Sequence, residues 1–345
     1  MAANHDTDTL IAGQGLAGTL LALALIEQGQ RVLVADPGRA DAAGRVAAGL
    51  ISPVTGQRLT RAGDLEVLLP AARRRLAAVA GLLGRSIHRD TPILRYLVGD
   101  WPQQAWQRRR HDPAFADYLA PGPEPRSVWV RGGAVVDTVA LLDDVAAWLA
   151  ERGALLRERL DPGEVVEDAA GIWWRGRRAE RVVFCEGAAL RGNPWFPDVR
   201  LRPVKGQVLE GWAPALPDYP INRGKTLVPL DAHRFRLGAT YDREDAGAEP
   251  TAAGHQALTA GLAGLVADPE GVTITRHMAG WRPTSPDGLP LLGRHPHRQR
   301  IALFNGLGSK GLLLGPYYAE RLAEALVTGG PVPAEAAWNR FGGRR

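Results

Sequence analysis

Thr9-Leu10-Ile11-Ala12-Gly13-Gln14-Gly15-Leu16-Ala17-Gly18-Thr19 begins the stretch that decides the fold, and it runs on to Asp36. Residues 9–12 read as a short apolar strand, and Gly13 to Gly18 as a glycine turn. Residues 19–28 read as an apolar-periodic helix closed by Gly29, and 31–35 as a second strand ending at Asp36 and Pro37. Strand, glycine turn, helix, strand and acid is the order a dinucleotide-binding unit requires. Gly13 permits the tight turn, Gly15 lets the backbone approach a pyrophosphate, and Gly18 lets helix and strand pack closely. The helix N-terminus at Leu16 and Ala17 supplies amide donors and a positive dipole end. Asp36, about 20 residues on, is placed to accept from a ribose hydroxyl.

With 345 residues, the chain has room for two domains or for one large α/β domain with an inserted lobe. Apolar residues at 45% and charged residues at 23% exclude disordered and fibrous classes. Residues 1–8 are polar without a basic leader, and the apolar run 20–26 is far too short to span a membrane. The expectation is a cytoplasmic enzyme with no membrane span. Cys185 is the only cysteine and reads as a core residue, so no disulfide forms within one chain. The eight histidines are scattered, and His295 and His297 have no third ligand at metal spacing. No metal site is assigned. The formal charge of +5 rests on arginine, with lysine only at 205, 225 and 310. The arginine clusters at 73–75, 108–110, 175–181 and 344–345 are interleaved with acids, which reads as a solvated surface rather than a nucleic-acid interface.

Small residues persist from Gly38 through Arg45, Ala47, Ala48, Gly49 and Leu50, as where backbone lies flat against something bulky. Helices are expected at 64–83, 139–152, 253–266 and 312–327, and strands at 93–98, 155–159, 164–167, 171–174 and 181–188. Residues 101–125 read as irregular, and 127–136 as a strand pair turning at Gly132-Gly133. From 201 on the pattern is β-rich, with strands at 204–209, 226–229, 234–239, 272–281 and 300–305. A second glycine turn, Gly306-Leu307-Gly308-Ser309-Lys310-Gly311, opens the last helix. Two strand–glycine–helix units thus bracket the chain and are expected to fold side by side.

In these motifs the chain resembles the FAD-dependent amino-acid oxidoreductases of the D-amino-acid oxidase and glycine oxidase group. The likeness covers nearly the whole chain. It rests on the opening turn, Ala47-Ala48-Gly49, the strand end 184–187, Pro203-Val204-Lys205-Gly206-Gln207, Gly238-Ala239-Thr240, Gly280-Trp281-Arg282-Pro283 with Asp287-Gly288-Leu289-Pro290, and the turn from Gly306. The resemblance implies an α/β fold: a discontinuous Rossmann-like FAD-binding domain over 1–60, 133–200 and 281–345, with a mostly antiparallel, β-rich substrate domain over 61–132 and 201–280.

It further implies that Gly13, Gly15 and Gly18 hold the pyrophosphate and that Asp36 holds the ribose. Arg45 to Leu50 would run along the pyrophosphate–flavin side, Pro162 and Gly163 would meet the adenine, and Gly187 would close the strand end. Gly306, Gly308, Ser309, Lys310 and Gly311 would surround the pyrimidine edge of the flavin. Arg282 would grip a substrate carboxylate, Lys310 would face flavin N1 and C2=O, and Tyr241 would line the pocket. The implied activity is oxidation of a small amino or imino acid to its imine, with oxygen or another acceptor taking the electrons. Two departures stand out. Where glycine oxidases carry a tyrosine this chain has Thr226-Leu227-Val228-Pro229, so substrate preference does not carry over. No cysteine lies beside Arg282, the attachment site in sarcosine oxidases, so FAD is expected to be non-covalent.

Gly308-Ser309-Lys310-Gly311-Leu312 is also similar to the oxidase half of the bifunctional enzyme that trims carboxymethylaminomethyl groups on the tRNA wobble uridine. That remains a second reading. A flavoprotein that only binds or senses is a third, and an NAD enzyme a fourth.

Overall fold

A computed structural model of the chain describes residues 7–244 and 247–342. The opening residues 1–6 of the polar N-terminal segment and the terminal Arg344–Arg345 pair lie outside the described residues. Two compact units emerge: Met1–Gly44, Leu142–Val204 and Trp281–Arg345 form the first, and Arg45–Leu141 and Lys205–Gly280 the second. The sequence puts 201–204 with the second unit, where the structure has them in the first, and 45–60 and 133–141 with the first. They fall in the second because Leu50–Ile51 pairs with Ala134–Val136, which pairs in turn with His88–Asp90.

In the first unit, β1 (Thr7–Ala12) lies parallel to both β2 (Val32–Ala35) and the strand Arg177–Phe184. The strand Ile301–Asn305 continues the parallel order beside Arg177–Phe184, and Leu291–Arg294 returns antiparallel on its far edge. Ala12 is level with both Ala35 and Phe184, and Phe184 with Leu303, so three strands end at one height and Ile301–Asn305 runs two residues beyond it. That is where open parallel sheets bind ligands. The last four residues of β1 and all of β2 are buried, which explains unbroken apolar runs in place of alternation. Helix α1 (Leu16–Glu27) has no polar stripe, and every residue from Gly18 to Leu25 is buried. It packs against the closing helix, Gly311–Thr328. A Cβ at Gly311 would stand 2.9 Å from Leu16 Cδ2, and one at Gly315 would stand 2.6 Å from Leu20 Cδ1. Two missing side chains therefore let the first and last helices touch. The side-by-side arrangement expected of the two glycine units is present within this unit.

The second unit is built on an eight-stranded sheet that runs from Thr273–Thr284 through Arg202–Trp212, Arg234–Gly238, Lys225–Pro229, Ile221–Arg223, Ile93–Tyr96 and Ser127–Val130 to Leu119–Pro121. It is mostly antiparallel, with Ile221–Arg223 and Ile93–Tyr96 paired parallel.

Three expectations are corrected here. Ser127–Val130 and Ala134–Val136 are not a hairpin. The first pairs with Ile93–Tyr96 and the second with Leu50–Ile51, so Gly132-Gly133 carries the chain between sheets. Gly132 holds φ +74°, and a Cβ at Gly133 would come within 2.9 Å of the Thr91 carbonyl. Residues 101–125 are not irregular: Asp100–Arg109 is a helix burying Pro102 and Ala105. Its proline sits in the first turn, where a missing N–H costs nothing. The helix expected over 253–266 ends at Thr259, and Gly261 leads into a separate turn, Leu262–Gly264.

Candidate active site

The opening turn is held from both sides. The Gly13 amide donates to Ala35 O at 2.8 Å, and the Cys185 amide to Ala12 O at 2.8 Å. Gly13 has φ +102°, outside the range of ordinary side chains. A Cβ at Gly18 would lie 1.8 Å from Gly13 O, so Gly18 is demanded by packing, whereas a Cβ at Gly15 meets nothing within 4 Å. The space beside Gly15 is open. Gly15 is also the N-cap of α1, with no capping side chain and no acid in the first turn. The first intrahelical bond runs from the Thr19 amide to Gly15 O, so the amides of Leu16, Ala17 and Gly18 are donors awaiting an acceptor. Asp36 closes the turn: Oδ2 accepts from the Gln14 amide at 2.7 Å and Oδ1 from the Gly38 amide at 2.6 Å. Pro37 is exposed beside it.

The second glycine turn starts at Gly306 (φ +73°) and Gly308 (φ +54°). One link to the rest of the unit is Asn305, 1% exposed, which sequence reading missed. Asn305 Nδ2 donates to Gly187 O at 3.0 Å and Oδ1 accepts from the Gly306 amide at 2.8 Å, so one side chain joins two strand ends. Gly187 has φ +58° and open space on its Cβ side. The turn is stitched to the segment after Arg282: the Gly308 amide donates to Pro283 O at 2.9 Å, and Thr284 bridges Leu307. Arg282, partly buried, therefore sits one residue from the backbone bond that holds the turn. Ser309 is exposed. Lys310 is half-buried, and burial pushes its ammonium below the usual lysine range, with Asp287 opposing. A Cβ on Gly288 would lie 3.9 Å from Lys310 Nζ, so that loop covers the ammonium.

Elsewhere in this unit Pro162 and Gly163 start a 3₁₀ turn capped by Asp161, with Pro162 O taken by the Trp195 indole at 3.0 Å. The Cys185 thiol is buried, which pushes its pKa up and keeps it a core residue. In the second unit, Arg45 lies in the short helix Ala43–Val46. Gly49 has φ +76°, and a Cβ there would lie 2.0 Å from Val136 O. Ala47 O accepts from Arg236 at 2.6 Å, and Arg236 also pairs with Glu210 at 3.2 Å. Arg236 has no motif around it, and only the fold reveals its tie to the segment 45–50. Ala48 and Leu50 flank that tie, and Tyr241, 63% exposed, follows the strand Arg234–Gly238.

The family model described as "DAO: FAD dependent oxidoreductase" matches residues 8–325. This chain belongs to that family of FAD-dependent oxidoreductases. FAD is its cofactor, and the first unit fits that group. It offers an acid at the end of β2, free amides at α1, and open faces at Gly15 and Gly187 that a side chain would fill. As an FAD-dependent oxidoreductase the chain is similar to glycine oxidase of Pseudomonas putida (25% identical over 94% of this chain and 95% of the relative). It is also similar to the tRNA 5-methylaminomethyl-2-thiouridine biosynthesis bifunctional protein MnmC of Caulobacter sp. (30% identical over 92% of this chain), of which it spans 54%. Its fold matches the crystal structure of glycine oxidase from Geobacillus kaustophilus, with TM-score 0.84 over 97% of this chain and 99% of the other at 22% identity. Among the described residues no helix is long and apolar enough to cross a membrane.

Proposed function

We propose that the chain oxidises the C–N bond of a small amino or imino acid, FAD taking the hydride from the α-carbon at flavin N5 and an imine being left for water to hydrolyse. The observation that carries this reading is the Pro283–Gly308 junction, which sets Arg282 beside the second glycine turn. A guanidinium grips a carboxylate through two parallel bonds, fixing the carbon next to that carboxylate. Holding the reacting carbon in place is most of what the protein must contribute to such a transfer. Lys310 and the amides that open Gly311–Thr328 are assigned to the pyrimidine edge, where fixed positive charge favours the reduced ring. Gly13, Gly15, Leu16, Ala17 and Gly18 are assigned to the pyrophosphate and Asp36 to the ribose. No cysteine stands beside Arg282 to attach a flavin through sulfur, and FAD is assigned as non-covalent.

The test is anaerobic mixing of the purified protein with glycine, N-methylglycine, proline and iminodiacetate, the last being the substrate named for a structural neighbour. Bleaching of the flavin band with release of an oxo acid supports the reading; a flavin that no small amine reduces removes it. Oxygen uptake then separates an oxidase from a dehydrogenase that needs another acceptor. The 30% identity to the Caulobacter bifunctional protein favours a second reading, the same oxidation on a glycine-like substituent of a tRNA wobble uridine. Salt-sensitive tRNA binding together with bleaching by that tRNA alone would select it.

A further inference from the structure

An acid that neither the cradle nor the carboxylate seat uses stands at the end of Arg177–Phe184. Cys185 and Glu186 follow that strand, and the Cys185 bond to Ala12 O draws Glu186 against the opening turn. A Cβ built on Gly13 would come within 3.6 Å of Glu186 Cα. The carboxylate is largely enclosed. Its Oε2 accepts from Asn193 Nδ2 at 2.7 Å, and buried Asn193 is itself fixed by accepting from the Trp195 amide at 2.9 Å. The charged and titratable groups facing it are Arg159 and Asp161, on the segment after Leu155–Leu156, and the neighbouring Cys185 thiol. Burial pushes the Glu186 carboxyl up to about 7, Asn193 and Arg159 pulling against it and Asp161 adding to it.

We propose that Glu186 is a proton-linked gate on cofactor binding: protonated, it admits the doubly negative pyrophosphate of FAD to the adjoining Gly13–Gly15 turn, and ionised, it repels it. Like charges in a poorly solvated corner repel far more than at the surface, so an ionised Glu186, its backbone against the turn, disfavours a dianion brought there. By linkage, binding FAD then takes up a proton over the range in which Glu186 would otherwise be ionised. Gln14 and Asp36 do not replace this role: their mutual bond ties the turn to β2, on the other side of β1 from Glu186. The gate rests on the cradle assignment and is independent of the substrate.

The experiment dilutes full-length holoenzyme to submicromolar concentration between pH 6 and pH 9 and reads released FAD by its fluorescence. Kd is expected to rise about tenfold across that range, and Glu186→Gln is expected to hold FAD with a flat pH dependence. A flat profile in the natural protein, or the same slope in Glu186→Gln, overturns the gate while leaving the cradle standing; failure to hold FAD at any pH overturns both. Should Glu186→Gln not fold, proton release on dissociation from the natural protein decides. It is measured by calorimetry at pH 7.5 in two buffers of different ionisation enthalpy. A fractional proton released per FAD supports the gate, and none overturns it.

Discussion

The Asn305 side chain donates to the Gly187 carbonyl at 3.0 Å, tying the last residue of the strand Ile301–Asn305 to the turn that follows Arg177–Phe184. Its other end takes the Gly306 amide at 2.8 Å, so removing it leaves two enclosed backbone groups without partners. Asn305→Ala should cost about 2–6 kcal/mol of stability, at roughly 1–3 kcal/mol for each group left unsatisfied. Flavin content should fall with it. Urea unfolding of holoenzyme checks this, and an unchanged midpoint would show that water replaces both bonds.

The two glycines of the opening turn should fail in different ways. Gly18→Ala puts a carbon 1.8 Å from Gly13 O and should destabilise the fold by about 2–4 kcal/mol, as overpacking in a rigid turn does. Gly15→Val meets no protein atom at its Cβ, so the protein should fold normally yet purify with little flavin. Thermal unfolding and the visible spectrum of each variant separate the two outcomes. A fully yellow Gly15→Val protein would show that nothing approaches that face.

Arg282→Ala should lower kcat/KM by the equivalent of about 2–4 kcal/mol, the loss of a paired charge-assisted contact, while leaving flavin bound. Arg282→Lys should recover only part of the loss, because an ammonium lacks the planar fork. Steady-state rates on whichever acid bleaches the flavin provide the measurement, and parity between Arg282→Ala and the natural protein would take this residue out of the site.

Arg236 pairs with Glu210 and holds Ala47 O, so Arg236→Met strands an acid and a carbonyl together. A loss of about 3–5 kcal/mol is expected from leaving one partner of an enclosed pair. Adding Glu210→Leu should return much of it. Denaturant midpoints of the single and double variants test this, and additive losses would mean that the pair is not coupled.

Glu186 also predicts the sense of a pH dependence in stability. Its carboxyl titrates near 7 in the folded chain against an ordinary value of 4.5, so the native state binds the extra proton. Its stabilising contribution is whole below about pH 4.5 and is lost as pH rises through about 7. Glu186→Gln should therefore gain on the natural protein between pH 5 and pH 8. Urea midpoints at the two pH values would contradict this if the variant lost ground instead.

Much of the first unit was legible because glycines there answer local geometry. Gly13 answers a positive φ and Gly18 a close contact with Gly13 O, Gly15 leaves open space, and the acid at 36 follows at the expected interval. Asn305 was not legible: an asparagine before a glycine reads as an ordinary turn residue. Its two partners are set by the fold, one of them at residue 187. Arg236 was hidden for a similar reason, since its acceptor at Ala47 lies far off in the chain and no periodicity reports such pairs. Gly132-Gly133 carried the right local message, a turn, but the strand partner on either side is a property of the sheets. The helix Asp100–Arg109 was hidden because a proline such as Pro102 ends helices more visibly than it starts them.

The most direct test of an acid group seated beside the flavin is a titration of the visible flavin band with acetate, a small carboxylate that offers no α C–N bond to oxidise. The natural protein should give a saturable spectral shift, and Arg282→Ala, still yellow, should give none. An equal shift in both proteins, or no shift in either, would contradict the account.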